Sequence, residues 1–132
     1  MDDKSIRLKM PDKKSFTIEG FFSCLLHSVT QVHIFHFQTK SYAAHIALGS
    51  FYEDVEDLVD TLIESYQGKY GIVKGYKNSQ LKDLTNPVDY FKDLHQEVES
   101  SRKLFTDSDL LNIMDEIKTL IKTTLYKLEN LN

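Results

Sequence analysis

Apolar side chains recur at three- and four-residue steps in four stretches of the chain, and each stretch predicts an amphipathic helix. The first carries Ile18, Phe21, Phe22, Leu25, Leu26, Val29, Val32 and Phe35 and predicts a helix over about 16–38. The segment QTKS at 38–41 interrupts this period, and Ser41 is the expected N-cap of a second helix over about 42–69. Its stripe is Leu48, Phe51, Tyr52, Val55, Leu58, Val59, Leu62 and Tyr66, with Gly68 and Gly71 marking the exit. A loop over about 72–85, rich in Lys, Gly, Asn and Ser, follows. Asn86 is the expected cap of a third helix, with Pro87 at its first position, where the missing N–H does no harm. Val88, Phe91, Leu94 and Val98 give that helix its apolar side. A break near Phe105 and Thr106 precedes a fourth helix over about 107–130, capped by Thr106 or Asp107. Its core face is Leu110, Leu111, Ile113, Met114, Ile117, Leu120, Ile121, Leu125 and Leu128.

Two short connections and one longer crossover between the second and third helices predict an all-α, ferritin-like four-helix bundle rather than an up-down-up-down one. With 132 residues, 41% of them hydrophobic and 27% charged, the chain holds enough apolar material for one core. Five glycines and two prolines favour long helices over strands and turns. The expected organisation is an N-terminal arm over 1–14 and one helical domain over 15–132. The arm sets Lys4, Arg7, Lys9, Lys13 and Lys14 against Asp2, Asp3 and Asp12, with Pro11 as a breaker.

The formal net charge of −4 argues against wholesale nucleic-acid binding, which needs a basic face. Cys24 is the only cysteine, so neither an intrachain disulfide nor a cysteine-rich zinc site is available; within GFFSCLL it reads as a small buried hydrophobe. The amino terminus has no apolar signal core and no stretch approaches the ~18 apolar residues of a membrane span, so a soluble, cytoplasmic protein is expected.

Metal-ligand chemistry concentrates between His33 and Gly71, where three histidines and a ladder of carboxylates fall on two helices. The chain has no Glu-x-x-His, which disfavours the usual di-iron site inside a bundle. On a wheel advancing about 100° per residue from His45, Glu56 falls near 20°, Asp60 near 60°, Glu53 near 80°, Glu64 near 100° and Asp57 near 120°. The apolar stripe lies at roughly 220–320°, so these acids face outward, to water or to another subunit. His36 ends the first helix and His45 opens the second, so a short turn can bring them together, while His33 sits on a neighbouring face. His27 and His95 lack acidic companions at metal spacing and read as ordinary side chains.

The run HFQTKSYAAHIALGSFYEDVEDLVDTLIE resembles the ferroxidase segment of Dps-type mini-ferritins, and DLLNIMDEIKTLIKTTLYKLENL is similar to that family's last helix. In the family a histidine followed by an aromatic residue ends the first helix, a second histidine opens the next, and an Asp and a Glu four residues later complete the pattern. The matching positions are His36 before Phe37, His45, Asp60 and Glu64, at the family's spacing from His45 onward. The segment TKSYAAH also resembles a T-K-S-Y-A-x-H core that recurs in small ferritin-like proteins of phage and bacterial genomes.

Two departures stand out. Gly49 occupies the position of a further family acid, four residues after the second histidine, and the loops on either side of the second helix are shorter than usual.

The resemblance implies an intersubunit ferroxidase-type site with His36 and His45 from one chain and Asp60 and Glu64 from its two-fold mate, and with Glu53 and Asp57 as relay ligands. The implied metal is iron, with zinc or manganese as alternatives, and the implied assembly is a homo-oligomer, a two-fold dimer or a shell of twelve. The alternative is a non-enzymatic structural or interaction protein on the same scaffold, encoded by a phage and carrying a degenerate site; Gly49 motivates it, with Tyr70, Tyr76 and Tyr90, if exposed, as an assembly surface. DNA binding is suggested only by the family's habit and the basic arm, whose side-chain excess of two positive charges is weak for phosphate neutralisation.

Overall fold

The computed structural model describes residues 17–131, so the expected arm over 1–14 lies outside the described residues. Four helices carry the chain: α1 (Ile18–Gln38), α2 (Tyr42–Tyr70), α3 (Pro87–Ser101) and α4 (Ser108–Asn130), with a single 3-10 turn at Arg102–Leu104. No strand occurs among the described residues.

The helix ends follow local chemistry. Ser41 caps α2 by accepting the Ala44 N–H at 3.1 Å, and Asn86 caps α3 by accepting that of Val88 at 3.0 Å, with Pro87 at the first position. Thr17 does the same for α1 through Gly20. Gly71 stops α2 with a φ of +96°, which a side chain would disfavour, whereas Gly68 remains helical. Asp107 stands at the N-cap position of α4 without capping it: its carboxylate is taken by Lys69 and by the Tyr70 hydroxyl at the far end of α2.

Each helix packs on two neighbours, in the cyclic order α1, α2, α4, α3. One core joins them, with Phe21, Phe22 and Leu25 from α1, Leu48, Phe51, Val55, Val59 and Leu62 from α2, Phe91 from α3, and Met114, Ile117 and Ile121 from α4 all fully buried. Each such side chain contributes about 1.5–3 kcal/mol on leaving water. Phe51 and Phe91 meet edge to face at 4.8 Å, and Phe22, Tyr66 and Phe105 form an aromatic cluster at one end. Leu26, expected in the stripe, is exposed, and Cys24 is half-buried rather than buried.

The crossover at 71–86 is strapped along α1. The Lys77 N–H donates to Ser23 Oγ at 2.8 Å, His27 Nε2 donates to the Gln80 carbonyl at 2.7 Å, and Gln31 exchanges two 2.8 Å bonds with the backbone of Lys82. Gln38 then accepts the Leu84 N–H at 2.7 Å and donates to Asp83 at 2.9 Å. Seven extended residues span about 23 Å and fifteen helical residues about 22 Å, so Lys77 to Leu84 keeps pace with Ser23 to Gln38. The crossover therefore runs parallel to α1, and α3 starts at the same end of the molecule as α2. The path is up, down, down, up, with every adjacent helix pair antiparallel.

Candidate functional site

The three-residue connection between α1 and α2 closes a tight helical hairpin, placing His36 in the last turn of α1 and His45 in the first of α2. The two imidazoles form a reciprocal clasp: His36 Nδ1 lies 2.8 Å from the His45 carbonyl, and His45 Nδ1 lies 2.9 Å from the His36 carbonyl. A carbonyl only accepts, so both rings carry their hydrogen on Nδ1, and in the neutral form each leaves an open lone pair on Nε2. An Nδ1–H bond to a backbone carbonyl is the usual device that orients a metal-binding histidine. One of these bonds also satisfies a carbonyl in the last turn of α1, where helical partners run out.

The rings are stacked, with centroids 3.8 Å apart and planes 19° from parallel. Stacked rings send their in-plane lone pairs along nearly parallel lines, so one ion shared by both nitrogens requires the rings to splay. A second stack stands beside the first: His33 lies between Tyr52 at 3.9 Å and Phe37 at 4.6 Å, and the Tyr52 ring meets His36 at 5.4 Å.

Gly49 is the floor under His36. A Cβ at this position would stand 3.0 Å from His36 Cε1 and 3.1 Å from Nδ1, closer than van der Waals contact allows without the ring moving. The missing side chain is thus the space that the imidazole fills. His36, His45, Ile46, Gly49, Ser50, Tyr52 and Glu53 line a shallow pocket of about 250 Å³.

Of the residues singled out in the sequence, the structure brings together His36 and His45, with Glu53 on the rim of the same pocket. Asp57, Asp60 and Glu64 are exposed on the outer face of α2, as the wheel predicts. From His45, Asp60 is fifteen residues on and Glu64 nineteen, or about 22 and 28 Å of helix axis, so neither reaches the histidine pair of its own chain. Among the described residues no three His, Cys, Asp or Glu side chains are gathered closely enough to hold a metal ion.

Sequence reasoning missed Tyr52 as a neighbour of the pair, the seat at Gly49, and the strap residues Ser23, His27, Gln31 and Gln38. The strap had a signal: polar side chains at steps of four, four and seven along an otherwise apolar helix mark one stripe. His27, expected to be ordinary, anchors the crossover and faces Tyr90, whose hydroxyl lies 3.4 Å from its Nδ1. Burial, then the neighbouring Cys24, pushes the Tyr90 phenol far above its usual range, so it stays protonated. Tyr90 is half-buried, whereas Tyr70 and Tyr76 are exposed.

At the opposite end, hydrogen bonds from Lys69 and then Tyr70 hold the Asp107 carboxyl below the usual carboxylate range, and the same contacts raise Lys69 and Tyr70 above theirs. These groups tie α2 to α4 and lie far from the histidine pair.

Four helices around one core, with two carbonyl-oriented imidazoles at a hairpin end, define an all-helical protein with a candidate metal-binding pair. Residues 36–128 match the family described as "Family of unknown function (DUF5856)", and the chain belongs to that family. The matched span includes His36, His45, Glu53, Asp60 and Glu64. No curated protein and no solved structure matches the chain. No helix among the described residues is long and apolar enough to cross a membrane.

Proposed function

We propose that the protein is a ferritin-like, iron-binding protein whose ferroxidase-type site pairs His36 and His45 of one chain with Asp60 and Glu64 of a two-fold mate. The observation that carries this reading is the clasp: both Nδ1 atoms are committed to carbonyls, which leaves the Nε2 lone pairs of two stacked imidazoles open for a ligand. The up-down-down-up path with its single long crossover supports the ferritin-like architecture. The surface near the pair supports self-association. Between Glu19 and Lys40 the chain has no Asp, Glu, Lys or Arg, and Phe37 and Tyr42 are 71% and 78% exposed beside a half-exposed Ile46. Ferrous iron is the substrate in this reading: two Fe²⁺ each give one electron to one hydrogen peroxide, which takes up two protons and leaves as two waters. Zinc or manganese is the alternative cargo for the same donors.

The same exposed aromatic surface favours the second reading, a non-catalytic interaction protein in which the clasp only closes the hairpin. Ferrous oxidation by peroxide separates the two. The wild type is expected to oxidise iron well above the protein-free rate and His45→Ala to lose that excess; equal rates for both, at the background level, favour the interaction protein.

A further inference from the structure

We infer that Glu53 supplies a carboxylate to the histidine pair from within the same chain, in place of the acid that α2 lacks at Gly49. The inference rests on reading His36 and His45 as a metal-binding pair. His45, Gly49 and Glu53 follow one another at four-residue steps on α2, each turning about 40° from the last, so they share one outward strip. The structure places His36, His45, Gly49 and Glu53 around a single pocket. Within it the His36 ring lies directly over Gly49, with Cε1 at 3.0 Å from where a Cβ would stand.

Glu53 is one turn further on, about 6 Å along the axis, and helical side chains lean toward the amino-terminal turn. From there its carboxylate can lean over the turn where Gly49 has no side chain and the His36 ring sits. An acid at position 49 would collide with that ring; an acid at 53 approaches it from the side. Glu53 is exposed and free to change rotamer, whereas the imidazoles are held by their carbonyl bonds. Two imidazoles and one carboxylate form a set suited to Zn²⁺, Fe²⁺ or Mn²⁺, with coordination positions left open for water or for groups from another chain. The site assembles on binding: each ring pivots about its Nδ1–H bond to the carbonyl so that the pair splays, and Glu53 closes down.

Calorimetric titration of the full chain with Zn²⁺ at pH 7 tests this without redox chemistry. The set is wild type, Glu53→Gln, the double variant His36→Ala/His45→Ala, and Asp54→Asn, an exposed acid a quarter-turn off the strip. Wild type and Asp54→Asn are expected to bind alike, the double variant to show no binding, and Glu53→Gln to bind at least about tenfold more weakly. The helical circular dichroism of Glu53→Gln should match the wild type. Loss of binding in the double variant with unchanged affinity in Glu53→Gln overturns the role of Glu53 and leaves the histidine pair standing. No binding by the wild type, or equal binding by the double variant, overturns the pair and Glu53 with it.

Discussion

Replacing Gly49 by alanine probes the seat of the His36 ring, and Gly68 in the same helix is a built-in control. Alanine is preferred over glycine in a helix by about 1 kcal/mol, less near a fraying end. Nothing lies within 4 Å of a Cβ at Gly68. Gly68→Ala is therefore expected to stabilise the protein by about 0.5–1 kcal/mol. At Gly49 the new Cβ meets His36 Cε1 at 3.0 Å and Nδ1 at 3.1 Å. Moving that ring by a few tenths of an ångström weakens a hydrogen bond worth about 0.5–1.5 kcal/mol and a ring stack of similar size. The propensity gain is cancelled, so Gly49→Ala is expected to be neutral to about 1–2 kcal/mol less stable than wild type. For a chain of this length 1 kcal/mol corresponds to about 3–4 °C in Tm. Urea and thermal unfolding of Gly49→Ala, His36→Ala and the double variant complete a cycle. With the ring already removed, Gly49→Ala should recover a gain of about 1 kcal/mol. Equal stabilisation by Gly49→Ala in the wild-type and His36→Ala backgrounds would refute the seat.

Other perturbations probe the rest of the framework. Gln31 is fully buried and bonds both backbone groups of Lys82, so Gln31→Ala should cost about 1–3 kcal/mol and speed proteolysis within the crossover; unchanged cleavage there would count against the strap. Phe51→Ala, which removes a fully buried ring from its contact with Phe91, should lower stability by about 3–5 kcal/mol in urea unfolding. Asp107 has a lowered pKa, so its contribution is present above the ordinary carboxylate value near 4 and fades as pH falls through the lower folded value. The stability gap between wild type and Asp107→Asn should therefore be constant from about pH 5 to 7 and close progressively below about pH 4. A gap that persists unchanged to pH 2 would contradict the contact. Lys69, raised by the same contact, loses its share only as pH climbs through its folded value.

What the sequence made legible was local. Ser41, and Asn86 with Pro87, cap where they stand because an N-cap needs only its own next turn, and the apolar stripes located the core because helical period alone selects a face. Asp107 fits the same local rule and departs from it, because Lys69 and Tyr70, brought close by the α2–α4 packing, compete for its carboxylate. The nearness of His36 and His45 followed from the short turn between them, but their mutual bonds depend on ring orientations that no spacing encodes. Gly49 illustrates the limit most sharply. In the sequence it is an acid that is lacking; in the fold it is the volume occupied by the His36 ring.

The most direct test of the histidine pair as half of an intersubunit iron site is the mass of the native assembly measured together with its metal content. Protein loaded with Fe²⁺ under anaerobic conditions should run as a dimer or a multiple of it, with iron bound per subunit, and His36→Ala/His45→Ala should lose the iron. A monomer that binds iron equally with and without the two histidines would contradict it.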